Sequence, residues 1–368
     1  ALGRGSGMEL EELLTAFDRR DWRESDPEAG PVRVAMLGLG WWTREQAMPA
    51  VADSTFCETT VLVSGSPAKA REAAADCETV EATLSYDEFL AGEQADRYDA
   101  VYVATPNAYH LEYVEAAADH GKAVLCEKPV EATMERAEAL VAACEDAGVT
   151  LMVAYRMQTE PAVRRARDVV ASGVLGDPAL VHGNMSERIL DLVDDDDPWR
   201  LDPDVVGPGT SVMDLGIYPL NTARFVLDRD PLAVTATTHT TDAGAFARVP
   251  DERAAFTVDY EGGVLAACTA SQNAGLASSL RVVCTHGEVV VEPAFYPWMD
   301  RALRVTREET TVDVEFAQAD QMREEFDYFA DCLLAGRDPV PDGRHALLDT
   351  RALFAVYEAA ERGERVEL

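Results

Sequence analysis

The chain has 368 residues, is 47% hydrophobic, and carries a formal net charge of −35 from 32 basic and 67 acidic residues. This length suits two domains of ~100–200 residues each. The excess of acid argues against nucleic-acid binding, because phosphates would be repelled. No run of about 18 apolar residues is present, so we expect neither a membrane span nor a secretory signal.

The acidic residues are dispersed, and only three of the 32 basic residues are lysines. A surface of this kind is typical of adaptation to molar salt, where the screening length falls to about 3 Å. In dilute buffer we expect self-repulsion to destabilise the fold. The densest acidic run, four aspartates at 194–197, is interpreted as solvated surface.

The seven cysteines and six histidines show no metal-binding spacing such as CxxC or CxH. We therefore expect no metal site. The cysteines are interpreted as reduced core residues of a cytoplasmic protein.

The first 30 residues differ from the rest of the chain. Residues 1–7 resemble an expression scar, and residues 8–30 are predicted to form an acidic helical arm. From residue 31 to 155, apolar strands alternate with helices. Strands are predicted at 32–37, 59–63, 99–104, 123–126 and 150–154, and helices at 43–52, 109–120 and 133–147. This alternation predicts a Rossmann-type, doubly wound parallel sheet.

Beyond residue 155 the pattern changes to long alternating strands. They are predicted at 179–189, 231–241, 253–260, 263–273, 279–284, 287–292 and 303–306, with helices at 160–173, 320–335 and 344–362. We predict that residues 156–368 form an α/β domain with a large, mostly antiparallel open sheet. One face of this sheet should be covered by helices.

The first predicted strand leads into a candidate dinucleotide site, Gly38-x-Gly40-x-x-Thr43, at the start of a helix. Gly38 permits the tight turn, and Gly40 lets a pyrophosphate approach the helix N-terminus. Thr43 stands where the fingerprint has its third glycine. The alternative is an ordinary strand–helix turn.

The end of the second strand favours NADP over NAD. NAD-binding proteins place Asp or Glu there to accept from the ribose 2′-hydroxyl, whereas this strand ends in Ser64-Gly65-Ser66, with Lys69 three residues later. Two hydroxyls and an ammonium could bind a 2′-phosphate. Arg44 is a second candidate for that phosphate, or else a solvated helix arginine.

Five motifs occur together in one order, and they resemble those of the glucose–fructose oxidoreductase/inositol dehydrogenase/MocA family over roughly residues 31–362. The motifs are Gly38-Leu39-Gly40, Ala104-Thr105-Pro106-Asn107 with His110, Glu127-Lys128-Pro129, Trp199-Arg200, and the segment from Asp214 to Asn221 that contains Tyr218.

The resemblance implies a Rossmann domain followed by a sheet that makes homodimer or homotetramer contacts. It also implies that Lys128 and Tyr218 are the catalytic pair. Combined with the acidic surface, it indicates a haloarchaeal NADP-dependent enzyme that oxidises an aldopyranose, with D-xylose as the expected substrate, at C1. The segment Gly207-Pro208-Gly209 departs from the family's usual glycine cluster.

The chemistry of the residues favours the same pair. A free phenol, with a pKa of about 10, is a poor base at neutral pH, and an ammonium within ~4–6 Å favours the phenolate. We expect Tyr218 to take the proton from the sugar O1 while Lys128 stabilises the phenolate. Asp214 would hold Lys128 or a sugar hydroxyl, or else act as a helix cap.

Further candidates lie in the same motifs, as contacts to the cofactor or to the sugar. Those for the cofactor are Trp41, Trp42, Thr105, Pro106, Asn107, His110, Glu127 and Lys128, and those for the sugar are Tyr155, Arg156, Trp199, Arg200 and Asn221. Either tryptophan could cover the cofactor, one of them being a core residue. His110 could equally be a helix residue without a functional role.

Two alternatives remain open. Within the same fold, the chain could be a sugar or dicarbonyl reductase, or a disproportionating enzyme of the glucose–fructose type that keeps NADP bound. From another class, it could be an NADP-binding sensor without activity, which would not require Lys128 and Tyr218 together.

Overall fold

The computed structural model describes residues 14, 19–25, 30–192, 199–241 and 244–368. The aspartates at 194–197 and most of the predicted arm 8–30 lie outside these residues, so both expectations stay predictions. Within the described residues, no helix combines the length and the apolar composition needed to cross a membrane.

Six parallel strands form the first sheet. They are β1 (Val32–Leu37), β2 (Cys57–Val63), β3 (Ala82–Leu84), β4 (Ala100–Val103), β5 (Ala123–Cys126) and β6 (Leu151–Val153). Their order is β3-β2-β1-β4-β5-β6, which is that of dinucleotide-binding folds. The predicted parallel sheet is confirmed. Strand β3 was not predicted: it is three residues long and only Leu84 in it is buried, so it lacks the apolar run that marks β6.

Helices connect these strands. A π-helical turn, Thr43–Ala47, continues into α1 (Met48–Ala52), and it is followed by α2 (Pro67–Ala75), α3 (Tyr86–Leu90), α4 (His110–Asp119) and α5 (Met134–Ala147). Short polar side chains set the helix starts. The Ser66 hydroxyl accepts from the third amide of α2, and Ser85 forms a capping box with Glu88 in α3.

Nine strands form the second sheet. They are β7 (Pro178–Arg188), β8 (Pro231–His239), β9 (Arg253–Tyr260), β10 (Val264–Ser271), β11 (Asn273–Cys284), β12 (Gly287–Val291), β13 (Leu303–Arg307), β14 (Thr310–Val314) and β15 (Val366–Glu367). The order is β14-β13-β12-β11-β7-β10-β9-β8-β15. Every neighbouring pair is antiparallel except β7 and β10. The mostly antiparallel sheet is therefore confirmed.

The helices of this half are α6 (Pro161–Ala171), α7 (Ile189–Leu192), α8 (Pro203–Val206), α9 (Ile217–Leu227), α10 (Gln321–Ala335) and α11 (Gly343–Arg362). Helix α9 is buried along its whole length and contacts both α6 and β7. The opposite face of the sheet exposes apolar side chains such as Leu180 and Leu265.

Helix α10 packs on the first sheet although it lies near the end of the chain. Its residues Met322, Phe326 and Phe329 share a core with Val34 and Met36 of β1. Because residues on both sides of position 155 build this core, the division of the chain at that position stays a prediction.

Candidate active site

The carboxyl ends of four parallel strands meet at one edge of the first sheet, because β1, β2, β4 and β5 are paired in parallel. Open α/β sheets bind ligands at this edge. The predicted motifs follow these strand ends directly, starting at Gly38, Ser64, Ala104 and Glu127. The fold thus brings together segments far apart in sequence.

The glycine loop after β1 has the geometry that a dinucleotide needs. Gly38 has φ +92°, and a Cβ there would lie 2.6 Å from the Ala104 carbonyl oxygen, so no other residue fits. A Cβ on Gly40 would meet nothing within 4 Å, which leaves open space at the start of the helix for a phosphate. Thr43 is fully buried and donates to the Gly38 carbonyl at 2.6 Å. It therefore braces the loop, and its contact with the cofactor stays a prediction.

The turn after β2 carries hydroxyl and cationic groups, which a 2′-phosphate requires. The Ser64 hydroxyl accepts from the Ser66 amide at 3.1 Å, and the Ser66 hydroxyl accepts from the Lys69 amide at 3.4 Å. Gly65 and Lys69 are exposed. The Arg44 guanidinium lies 3.8 Å from Glu72 in α2, so its head points to this side. The residues present therefore fit NADP, with no carboxylate at the strand end to repel a phosphate.

Glu127 ties the neighbouring motifs to each other. Its carboxylate accepts from Trp42 Nε1 at 3.1 Å, from the Tyr102 hydroxyl at 2.6 Å and from the Lys128 amide at 3.1 Å. It therefore fixes the position of Trp42 and of the Lys128 backbone. Trp42 packs at the margin of the core, whereas Trp41 is 61% exposed and is the tryptophan free to cover a bound ligand.

Two candidates after β4 make hydrogen bonds within the protein, and their assignment to the cofactor stays a prediction. Asn107 is buried and donates to the Val206 carbonyl at 2.9 Å. His110 is fully buried, with its ring nitrogens 3.0 Å from the Val130 carbonyl and 2.8 Å from the Thr105 carbonyl. Among the described residues, the buried Thr105 hydroxyl has no hydrogen-bond partner. Thr105 and the half-buried Pro106 stay candidates for the cofactor.

Lys128 and Asp214 form a buried ion pair at the centre of the site. Lys128 Nζ donates to Asp214 Oδ1 at 2.9 Å and to the Asp214 carbonyl at 3.1 Å. Asp214 Oδ2 accepts from Arg200 Nε at 2.9 Å and from Gln272 Nε2 at 2.8 Å. Burial opposes both charges most strongly, but the partner charges outweigh it. The pKa of Lys128 is raised above its ordinary value by Asp214, and the pKa of Asp214 is lowered by Lys128 and Arg200.

The backbone around Asp214 explains how its carbonyl is available. Asp214 lies in a π-helical turn, Val212–Gly216, that leads into α9. In the π pattern its carbonyl would accept from the fifth residue onward, Pro219, which has no N–H. Lys128 Nζ donates to that carbonyl. Such turns occur frequently at functional sites.

The Gly207-Pro208-Gly209 segment holds the start of this turn. The buried Asp251 carboxylate accepts from the Thr210 amide at 2.7 Å and from the Val212 amide at 2.8 Å. A Cβ on Gly209 would lie 2.3 Å from that carboxylate, and Gly207 has φ +103°. Both glycines are thus required, one by close approach and one by its backbone conformation.

Tyr218, in the first turn of α9, lies between two cations. Lys128 Nζ is 4.8 Å from its ring centroid, and the Arg156 guanidinium is 4.5 Å from it. Arg156 Nη1 donates to the Tyr218 hydroxyl. Arg156 is itself held by the Phe295 carbonyl at 2.7 Å and by Gln321 at 2.8 Å. Three of the five guanidinium N–H donors of Arg156 thus bind the protein, and its contact with the sugar stays a prediction.

The remaining sugar candidates divide in two. Tyr155 is buried beside His345, with ring centroids 5.8 Å apart, and Asn221 is buried against Asp349, with Nδ2 to Oδ2 at 2.7 Å. Both side chains have these partners inside the protein, and their assignment to the sugar stays a prediction. Trp199 stays a candidate: it is half-buried beneath Arg200, whose guanidinium is 4.6 Å from its ring.

Two site residues were missed by the sequence reasoning. Gln272 donates to Asp214, as described above, and Glu187 is a buried acid near the same group. The strand pattern offered one signal, since an acid at an inward position of β7 is unusual. Gln272 offered none, because its role depends on a contact 58 residues away.

Comparison with known proteins shows the family of this chain. Residues 32–155 match the family model described as "Oxidoreductase family, NAD-binding Rossmann fold", and residues 163–290 match "GFO/IDH/MocA C-terminal domain". The chain is 56% identical to D-xylose 1-dehydrogenase (NADP(+)) of Haloarcula marismortui, over 98% of this chain and 100% of that protein. It is 35% identical to D-xylose 1-dehydrogenase (NADP(+)) 2 of Haloferax volcanii, over 90% of this chain and 98% of that protein.

Among solved structures, the aldose–aldose oxidoreductase of Caulobacter crescentus complexed with glycerol superposes with a TM-score of 0.86 at 31% identity. The match covers 92% of this chain and 100% of that one. The sequence matches and the fold match extend across both halves of the chain. The chain is therefore an oxidoreductase that belongs to the GFO/IDH/MocA family.

Proposed function

We propose that this oxidoreductase oxidises D-xylose at C1 to the lactone, with NADP as the hydride acceptor. The observation that carries the proposal is the buried Lys128–Asp214 pair beside Tyr218, at the strand edge that also holds the glycine loop. The 56% identity to the Haloarcula D-xylose 1-dehydrogenase supports the choice of sugar and cofactor.

In the proposed reaction, Tyr218 accepts the proton from O1 of the pyranose. Lys128 and Arg156 favour the phenolate from two sides, because each places a positive charge within 5 Å of the ring centroid. Asp214 fixes the ammonium of Lys128, so that this charge needs no reorganisation during the reaction. When bound, the nicotinamide supplies the acceptor carbon C4 for the hydride that leaves C1.

The residues proposed to hold NADP divide by the part of the cofactor that they face. Gly38 and Gly40 admit the pyrophosphate, and the N-terminus of the following helix faces it. Ser64, Ser66 and Lys69, with Arg44 alongside, would bind the 2′-phosphate. Their hydroxyl and cationic groups match its charge.

The test is a set of initial rates in molar KCl, with NADP and with NAD, on xylose, glucose, arabinose and ribose. We expect NADPH formation with xylose to have the highest kcat/KM. Absence of sugar-dependent NADPH formation with all four aldoses would overturn the proposal and favour a sensor without activity.

A second candidate function follows from the likeness to the aldose–aldose oxidoreductase. In such a reaction the reduced cofactor stays bound and a second aldose reoxidises it. This candidate predicts that pure protein, denatured after gel filtration, releases stoichiometric NADP, detected by its absorbance. A protein that is purified free of cofactor and turns over added NADP would exclude it.

We also propose that the protein is cytoplasmic and forms dimers or tetramers through the open face of the second sheet. The exposed side chains Leu180 and Leu265 are register partners on β7 and β10 and lie side by side on this face. Light scattering in molar KCl measures the number of subunits. The interface would be supported if wild type is a dimer or tetramer and the Leu265→Asp variant is a monomer.

A further inference from the structure

Glu187 is a buried acidic side chain in the wall of the site. It is the second-last residue of β7, it is 8% exposed, and none of the described residues donates a hydrogen bond to its carboxylate. Burying a carboxylate without a donor is costly. The absence of a protein partner in the described chain therefore needs an explanation.

Glu187 differs from two other buried acids among the described residues. Glu160 accepts from the Ala162 and Val163 amides at 2.7 and 3.0 Å and from Arg301 at 3.1 Å. Glu325 has no donor among the described residues, but both its oxygens are sealed from solvent. The oxygens of Glu187 are not sealed, so it differs from both kinds of buried acid.

The strand geometry places Glu187 on the face of β7 that packs against the catalytic helix. Side chains alternate along a strand, so Gly183, Met185 and Glu187 lie on one face. A Cβ on Gly183 would lie 2.5 Å from the Cβ of Pro219, the residue after Tyr218. This face of β7 is therefore in direct contact with the first turn of α9, and Glu187 lies about 13 Å further along it.

Four charged groups from four different segments act on Glu187. They are Asp214 in the π-helical turn, Arg200, Lys128 and Arg156, and two of them, Lys128 and Arg156, also lie beside Tyr218. Burial first, and then the Asp214 charge, raise the pKa of Glu187 to about 7, against the effect of the three cations. Each cation has its own protein partner, so Glu187 is not needed to neutralise any of them.

The charged groups of both signs around Glu187 limit the kind of ligand that can bind there. Three cations disfavour a cationic ligand, and the carboxylates of Asp214 and Glu187 disfavour an anionic one. A neutral molecule rich in hydroxyls is compatible with both, because hydroxyls donate to carboxylates and accept from cations. A hydroxyl that donates to a carboxylate makes a strong, short hydrogen bond.

We propose that Glu187 binds the sugar: its carboxylate accepts a hydrogen bond from an aldose hydroxyl other than the reacting one and so orients C1 toward Tyr218. This inference rests on the proposed aldose oxidation. It makes Glu187 a determinant of which ring hydroxyls the enzyme requires.

The test combines changes in the enzyme with changes in the sugar. Wild type, Glu187→Gln and Glu187→Ala are assayed in molar KCl with xylose and with its 2-, 3- and 4-deoxy analogues. We expect kcat/KM for xylose to fall by about 10- to 100-fold in Glu187→Gln, mainly through KM. Wild type should prefer xylose over the deoxy analogue that lacks the hydroxyl bound by Glu187. The Glu187→Gln variant should lose this preference, because that hydroxyl and the carboxylate are partners.

Melting temperature and NADP binding show whether the variants fold, and the exposed Glu309→Gln is the matched control. The role of Glu187 would be overturned if Glu187→Gln kept the wild-type KM, or if it kept the wild-type preference for xylose over all three analogues. Either result would leave the proposed function standing. A wild-type enzyme that oxidises no aldose would overturn the proposed function, and this inference with it.

Discussion

Lys128 Nζ lies 2.9 Å from Asp214 Oδ1, and this buried pair holds the ammonium 4.8 Å from the centroid of the Tyr218 ring. The two residues of the pair are 86 positions apart. The fold therefore sets the charge beside the phenol before any substrate binds. Preorganised charge of this kind is the form of electrostatic help that contributes most to catalysis.

Tyr218→Phe should lower turnover of xylose by about 10²–10⁴-fold, the usual contribution of general acid–base help. The ring and its contact with Phe295 remain, so we expect the melting temperature to change little. Steady-state rates in molar KCl measure the effect, with the exposed Tyr109→Phe as control. Wild-type turnover in Tyr218→Phe would remove Tyr218 from the mechanism.

Lys128→Met should be at least as damaging to turnover, because it removes one of the two charges beside the phenol and leaves Asp214 without its ammonium. We expect NADP affinity, measured by fluorescence titration, to weaken only modestly. The chain offers a matched control in Lys122→Met, since Lys122 donates to the Tyr98 carbonyl at 2.9 Å in a loop outside the site. Equal losses in both variants would contradict a specific role for Lys128.

Ser66→Asp should shift the preference from NADP toward NAD. Aspartate preserves the helix cap but places a negative charge where the 2′-phosphate is proposed to bind. We expect the ratio of kcat/KM for NADP over NAD to fall by at least about tenfold, since contacts between like charges cost several kcal/mol. Ser66→Asn keeps the cap without the charge and should leave the ratio nearly unchanged. An unchanged ratio in Ser66→Asp would refute this cofactor site.

The buried Glu325 leads us to expect that the free energy of unfolding depends on pH. It is 1% exposed in α10, and burial, followed by the Glu127 charge, raises its pKa well above the ordinary value, against the effect of Arg156 and Lys128. The folded state therefore holds a proton that the unfolded state releases. The contribution of Glu325 to stability is present below the ordinary carboxyl pKa and is lost as pH rises toward the folded pKa.

Glu325→Gln keeps the shape and cannot ionise, so its stability relative to wild type should increase with pH. Urea unfolding at pH 5, 7 and 9 in molar KCl measures the difference, with the exposed Glu78→Gln as control. A difference between Glu325→Gln and wild type that is the same at all three values would contradict the raised pKa.

The net charge of −35 predicts that stability depends on salt. As KCl is removed, the screening length grows from about 3 Å at 1 M to about 30 Å at 0.01 M, and repulsion among the surface acids increases. We expect unfolding below roughly molar KCl for this reason. Melting curves at decreasing KCl measure it. A melting temperature that does not fall would refute salt adaptation.

The local features of this protein follow from its sequence. Strand and helix positions depend on periodicity and on turn residues within a few positions, and Gly38 is required by the conformation of a single turn. Lys128 and Tyr218 were predicted from their motifs, and the structure places both at one site. The absence of a carboxylate in Ser64-Gly65-Ser66 is likewise visible in three neighbouring residues of the sequence.

The partners of the side chains were decided by the tertiary structure alone. Arg156, expected at the sugar, donates to Tyr218, 62 residues away. His110 and Asn221, expected in the site, also have hydrogen-bond partners within the protein. A polar side chain acts on substrate only if the protein leaves its donors and acceptors free. That balance depends on which distant segments pack around it, as with Glu187, Gln272 and helix α10, and no local pattern in the sequence contains it.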